Sequence, residues 1–62
     1  MENYRWNDVV SFRHEGREKI GLITALPSNQ GAGQRLYTIF VEEEDAVYEV
    51  REEDIVQVEY RT

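Results

Sequence analysis

The chain has 62 residues, of which 40% are hydrophobic and none is cysteine, and its formal net charge is −6. A chain this short buries only about 60% of the surface that its unfolded form exposes, so we expect one marginally stable domain over residues 1–62. The composition excludes disulfides and thiolate-bound zinc, and no run is apolar enough for a signal peptide or a membrane span. We therefore expect a cytoplasmic protein with no membrane contact.

The first predicted strand covers residues 8–14. Val10 and Phe12 alternate there with Val9 and Ser11, which is the period of a β-strand with two different faces.

The next predicted elements are a turn and a second strand. Residues 15–18 suit a tight turn, because Gly16 can supply the positive φ that hairpin turns need. The second strand is predicted over residues 19–26, where Gly21 indicates a bend, a bulge or a close backbone approach. Pro27 ends this strand because proline has no amide hydrogen to donate.

A flexible loop is predicted at residues 28–34, which hold two glycines and small polar residues. It is either a recognition loop or a plain connection between strands. A third strand follows over residues 35–42, and both of its faces are partly apolar, so a partner or the chain itself is expected to cover the second face. The fourth strand is predicted over residues 47–51 and the fifth over residues 55–60. A helical turn at 52–54 separates them, with carboxylates near its N-terminal end.

This series of elements resembles the SH3-like small β-barrels, and within them it is most similar to Tudor-like and KOW-like domains. The likeness rests on residues 8–12, 21–23, 37–41 and 50–55. It implies an all-β fold, a five-stranded SH3-like barrel with a short helical turn before the last strand. The sequence departs from the family at two points: Asn7 stands where a glycine usually precedes the first strand's aspartate, and residues 42–46 lack a glycine.

The negative charge is confined to one part of the chain. Residues 1–41 hold four acidic and five basic residues, whereas residues 42–54 hold eight acidic residues against Arg51 alone. A surface of one sign steers oppositely charged partners and repels phosphate. The run Glu42, Glu43, Glu44 and Asp45 is therefore either a solvated turn that keeps a hairpin soluble or a contact surface for a basic partner, in one version by imitating phosphates.

No motif in the sequence indicates catalysis, a metal site or a cofactor. His14 is the only histidine and is expected in an exposed turn, and Ser11 and Ser28 have no evident triad partners. The acidic run at 42–45 lacks the spacing and the glycine of a calcium-binding loop. We expect neither an enzyme nor a metal- or cofactor-binding protein.

The aromatic residues raise a further hypothesis. The Tudor-like resemblance implies a cage for a methylated cation, which would draw on Trp6, Tyr37, Phe40 and Tyr48 with Glu42 as the acidic neighbour. Alternation instead favours packing roles for Tyr37 and Tyr48.

A nucleic-acid-associated domain is the alternative function. KOW-like barrels commonly contact RNA, and a basic strip on the first hairpin is conceivable from Arg13, Arg17, Lys19 and Arg35. The acidic pI near 4.6 opposes it.

The sequence thus predicts a small non-catalytic module that binds a basic protein partner through an acidic hairpin and exposed aromatics. Its predicted contact residues are Trp6, Phe40, Glu42, Glu43, Glu44 and Asp45. The sequence leaves the partner's identity and the oligomeric state open.

Overall fold

The computed structural model describes residues 4–27 and 36–61, which form an all-β domain with five antiparallel strands in one sheet. The strands are β1 (Val9–His14), β2 (Arg17–Ala25), β3 (Leu36–Val41), β4 (Ala46–Arg51) and β5 (Ile55–Tyr60), and 3-10 turns lie at Glu42–Glu44 and Glu52–Asp54. The predicted all-β class, the five strands and the helical turn before the last strand are confirmed. The predicted loop at 28–34 and Arg35 lie outside the described residues.

The strand order across the sheet is β4-β3-β2-β1-β5. β2 pairs with β1 through residues 17–22 and with β3 through residues 22–25, where a bulge falls at Thr24. β4 and β5 are the two edges of this order. Within the described part of the chain no pairing joins those edges, so closure of the sheet into a barrel stays a prediction.

The turn between β1 and β2 is tighter than predicted. His14 pairs directly with Arg17, which leaves Glu15 and Gly16 as a two-residue loop with φ of 52° and 79°. Positive φ at both positions is the geometry whose twist matches the flanking strands. β2 consequently begins at Arg17, two residues before the predicted start.

One face of the sheet, called here the inner face, carries the hydrophobic core. Its buried residues are Val10, Phe12, Ile23, Tyr37, Ile39, Val41, Val50 and Ile55. Gly21 lies where β2 approaches β3 closely: a Cβ there would lie 2.6 Å from Ile39 Cγ2 and 2.7 Å from the Phe40 carbonyl oxygen. Of the three alternatives that the sequence leaves open at Gly21, a bend, a bulge or a close backbone approach, the structure shows the close approach.

Asn7 and Asp45 share a backbone conformation that is uncommon for residues with a side chain. Asn7 has a φ of 72° and Asp45 a φ of 53°, both in the left-handed region. Asparagine and aspartate adopt that region more readily than other residues with a side chain. Asparagine and aspartate are therefore suitable residues at two positions whose backbone conformation also favours glycine.

An ion pair between the buried Asp8 and the more exposed Arg61 joins the start and the end of the described chain. The Asp8 carboxylate is 1% exposed, and it accepts hydrogen bonds from the Arg5 backbone N–H at 2.8 Å and from Arg61 Nη2 at 3.0 Å. The Arg61 guanidinium, helped by the Arg5 N–H, lowers the pKa of Asp8 against the opposing effect of burial. This contact fastens the residue after β5 to the turn before β1.

Among residues 4–27 and 36–61 there is no helix of the length and apolarity needed to cross a membrane.

Candidate binding face

The second face of the sheet, called here the outer face, carries a row of apolar residues that crosses all five strands. Direct cross-strand pairs connect Tyr60 to Val9, Val9 to Leu22, Leu22 to Phe40 and Phe40 to Val47. Tyr60 and Val47 at the two ends are 64% and 61% exposed, and the three between them are partly exposed. We call these five residues the apolar row. They form a continuous apolar surface outside the core.

A groove of about 530 Å³ lies along the middle of this row. It is lined by Glu42 and Glu43 and by five residues without charge, called here the floor: Val9, Leu22 and Phe40 of the row together with Ile20 and Gly21. Ile20 is 55% exposed, which is high for a residue of its size and apolarity. The groove thus joins an apolar floor to two carboxylates.

The turn after β3 places those two carboxylates at the groove. Val41 keeps extended dihedral angles, and the chain then forms the 3-10 turn Glu42–Glu44. The turn ends at the left-handed Asp45, whose backbone N–H donates to the Glu42 carbonyl oxygen at 3.1 Å. Because this turn starts directly after Phe40 and Val41, its first two side chains stay beside the floor of the groove.

Glu44 has a different environment from its two neighbours. Its carboxylate lies 2.5 Å from Lys19 Nζ and accepts a hydrogen bond from the Tyr48 hydroxyl. These hydrogen bonds, from Lys19 first and then Tyr48, lower the pKa of Glu44, while the same carboxylate raises the pKa of Lys19 and of Tyr48. His14 packs edge-on against the Tyr48 ring at 4.7 Å between centroids. This cluster ties the acidic turn to the first hairpin.

The structure brings together three of the six predicted contact residues: Phe40, Glu42 and Glu43 line one groove. Glu44 forms an ion pair with Lys19 and accepts a hydrogen bond from Tyr48, and Asp45 is exposed at the end of the turn.

Trp6 lies apart from the groove. Its indole N–H donates to the Thr24 carbonyl oxygen at 3.1 Å, and Thr24 is the bulged residue of β2. The side chain is nevertheless 63% exposed. Trp6 therefore fastens the segment before β1 to β2 and does not line the groove.

The aromatic residues of the cage hypothesis do not share one site. Tyr37 is fully buried, with Tyr4 edge-on against its ring at 5.7 Å between centroids. Tyr48 packs against Phe12 at 5.6 Å between centroids. Both tyrosines have the packing roles that alternation favours, which leaves Phe40 alone at the groove.

The basic residues of the first hairpin divide between two faces. Arg13 pairs with Glu18 on the outer face, whereas Lys19 pairs with Phe12 and so lies on the opposite side, as does Arg17 two residues away. Lys19 is also the partner of Glu44. Arg35 lies outside the described residues. The predicted strip is thus interrupted by acidic neighbours.

His14 is less exposed than expected. It lies at the end of β1, half-buried against Tyr48, with Nε2 at 3.7 Å from a Glu15 carboxylate oxygen. Ser11 is fully buried on the outer side of β1, and its Oγ has no hydrogen-bond partner among the described residues. Over the same residues no group of three or more histidine or acidic side chains is arranged to hold a metal ion.

Sequence reasoning missed most of the apolar row and Ile20. The available signal is the second, partly apolar face of the third strand, for which the sequence predicts only that something covers it. The direct alignment of Val9, Leu22, Phe40 and Val47 depends on strand register, which alternation does not determine between distant strands.

Comparison of the chain with protein-family models, with curated proteins and with solved structures gave no significant match, so the site's geometry is the basis for assigning a function.

Proposed function

We propose that this protein is a small non-catalytic interaction module that binds a basic segment of a protein partner on its outer face. The observation that carries the proposal is the groove in which Glu42 and Glu43 stand beside an apolar floor. Exposed apolar surface supplies affinity when it is covered, and carboxylates at its margin attract a cationic partner and fix its orientation.

The charges around the groove favour a cationic partner. Glu42 and Glu43 are exposed, and no ion pair is found for either among the described residues, in contrast to Glu44 with its lysine. Two neighbouring carboxylates raise the local concentration of cations and repel phosphate groups. An arginine or lysine segment is therefore a better match than nucleic acid.

The SH3-like resemblance enters here as part of the proposal. Five antiparallel strands, a 3-10 turn before β5 and left-handed residues at Asn7 and Asp45 all support a Tudor-like or KOW-like small barrel. The absence of cysteine is compatible with a reducing compartment, so we propose that binding takes place in the cytoplasm.

Affinity capture from lysate, with nuclease treatment and without, tests the proposal with three baits. The first is the wild-type protein and the second is Glu42→Gln/Glu43→Gln. The third, Glu15→Gln/Glu53→Gln, removes the same number of charges from exposed sites that do not line the groove. Mass spectrometry identifies and quantifies what each bait retains.

We expect one protein to be retained by the wild type and by the third bait, and to be lost from the second. The proposal would be contradicted if nuclease removed everything that the wild type captures and if Arg13→Gln/Arg17→Gln captured less of that material. That result would assign the protein to nucleic acid binding.

A further inference from the structure

The groove on the outer face combines three kinds of surface. Its uncharged floor includes the aromatic ring of Phe40 and the exposed aliphatic side chain of Ile20, and its two charged lining residues are Glu42 and Glu43. Among the residues that the structure describes, none that lines the groove is basic. A side chain that enters the groove therefore meets apolar surface, an aromatic ring and negative charge together.

We propose that the groove binds the side chain of one arginine of the protein partner. This inference rests on the proposed function, because Glu42 and Glu43 attract the cation in both. It adds the type of residue that the partner presents, and it assigns the charge-dependent contact to a single side chain.

The arginine side chain matches each part of the lining. Its methylene stem packs on apolar surface such as that of Ile20 while its charged end reaches polar groups. Its guanidinium is planar, so it stacks on aromatic rings and donates paired hydrogen bonds to carboxylates. The groove offers both kinds of partner in one lining, the ring of Phe40 and the carboxylates of Glu42 and Glu43.

Lysine is less well suited to this lining. Its ammonium group is a compact and strongly hydrated charge, and the five uncharged residues of the floor replace little of the water that it loses. A guanidinium is more weakly hydrated and gains a favourable interaction with the face of an aromatic ring. The two carboxylates alone attract either cation, so the floor provides the preference for arginine.

A hollow beside the groove limits the contact to one cation. The hollow shares Ile20 and Glu43 with the groove. Arg17 and Lys19 also line it, so two bases stand there against three acidic residues, and Lys19 forms an ion pair with one of the three, Glu44. Further basic residues of the partner would meet nearly balanced charge on that side and would add little affinity.

The charge of the protein disfavours its own arginines as the occupant. A second copy would bring a net charge of −6 against another of −6, and that repulsion opposes association. The phosphate groups of nucleic acid are repelled by the two carboxylates of the groove. An arginine on a separate cationic protein is attracted.

Four synthetic peptides of equal length test the inference. Three are identical and uncharged except at one central position, which holds arginine, lysine or citrulline, and the fourth is lysine-rich. Citrulline keeps the stem and the planar end of arginine but carries no charge. All four have blocked ends, and binding is measured at low salt by titration of isotope-labelled protein followed by amide chemical shifts.

We expect the arginine peptide to bind at least about threefold more tightly than the single-lysine peptide and to shift the amide signals of Ile20, Phe40 and Glu43. The citrulline peptide should bind most weakly of the three. Equal or tighter binding of the single-lysine peptide would overturn the inference and leave the proposed function intact. The same holds if only the lysine-rich peptide shifts the signals of the groove. If none of the four peptides shifts them, or if citrulline binds as tightly as arginine, the proposed function fails as well.

Substitution of Phe40 provides the second test. Phe40→Leu keeps an apolar side chain at a partly exposed position but removes the aromatic ring. Tyr60→Leu is the matched control, because Tyr60 is an exposed aromatic residue of the same row that does not line the groove. The quantity compared is the ratio of the dissociation constants for the single-lysine and arginine peptides, which a uniform loss of affinity does not change.

This ratio should fall at least about twofold in Phe40→Leu and stay at the wild-type value in Tyr60→Leu. An unchanged ratio in Phe40→Leu, or an equal fall in both variants, would contradict the proposal. Sedimentation of the wild type should show monomers. A dimer that Glu42→Gln/Glu43→Gln dissociates would overturn the proposal and identify the groove as a contact between copies of this chain.

Discussion

At the scale of single residues, Gly21 shows how the core and the binding face depend on the same position. Its missing side chain lets β2 approach β3 so closely that a Cβ would lie 2.7 Å from the Phe40 carbonyl oxygen. Gly21→Ala should therefore lower the free energy of unfolding by about 2–3 kcal/mol, because backbone must shift to relieve the overlap.

Gly16→Ala is the control. A Cβ at this position would meet nothing within 4 Å, so the only cost of the substitution is the backbone strain at a φ of 79°. Its cost should be about 1 kcal/mol, the lower end of the penalty for a Cβ in the left-handed region. Urea denaturation measures both, and a smaller loss for Gly21→Ala than for Gly16→Ala would contradict the close approach.

Asn7 is a second position at which the backbone conformation restricts the type of residue. With a φ of 72°, it lies in a region that a β-branched residue enters only at a cost. Asn7→Gly should leave the melting temperature nearly unchanged, whereas Asn7→Val should destabilise the fold by about 1–2 kcal/mol. Thermal unfolding by circular dichroism compares the two variants. Equal stability of the glycine and valine variants would exclude a left-handed residue at this position.

At the scale of elements, the Asp8–Arg61 pair joins the segment before β1 to the residue after β5. Asp8→Asn keeps an acceptor for the Arg5 N–H but removes the charge that faces the guanidinium. We expect it to lower the free energy of unfolding at pH 7 by about 1–2 kcal/mol. Hydrogen exchange should show earlier opening of β5 than of β3 in this variant, and opening of both at once would contradict a local role for the pair.

The same pair makes a prediction about pH. The pKa of Asp8 is lowered in the folded protein, so below the ordinary carboxylate pKa of about 3.9 the unfolded state binds the proton first. The stabilisation is therefore complete above that value and is lost as the pH falls through the folded pKa. The difference between wild type and Asp8→Asn, measured by denaturation at several pH values, should shrink below about pH 3.9. A difference that stays constant down to pH 2 would contradict this contribution.

Local signals made most of the elements predictable. Alternation located β1 and β3, Gly16 located the hairpin turn, and the carboxylates at 52–54 located the second 3-10 turn. The limits of β2 were less accurate, because the bulge at Thr24 and the two-residue loop before Arg17 depend on pairing with neighbouring strands. The Asp8–Arg61 pair joins residues 53 positions apart, which no local pattern indicates.

At the scale of the whole molecule, the sequence predicts that the candidate site is acidic, but it does not predict which side chains lie together there. The acidic run and Phe40 were evident from the sequence. The separation of Glu44 from Glu42 and Glu43 follows from contacts with Lys19 and Tyr48, which come from different strands. The apolar row likewise depends on register across five strands.

That separation yields a prediction for the acidic turn. Lys19→Gln/Glu44→Gln removes both members of the ion pair and leaves the net charge unchanged, so the affinity for a short lysine-rich peptide should stay almost the same. Glu43→Gln should weaken binding about threefold. Isothermal titration calorimetry compares the two variants, and an equal or larger effect of the double variant would contradict the assignment of Glu43 to the groove and Glu44 to the fold.

The most direct test of the central claim is the association rate of a short lysine-rich peptide at low and high salt. For the wild type and for Glu15→Gln/Glu53→Gln we expect the same fast association at low salt. For Glu42→Gln/Glu43→Gln we expect association several-fold slower, with the difference disappearing at high salt because the charges are then screened. Equal association rates of all three proteins at low salt would contradict an outer face that attracts its partner through Glu42 and Glu43.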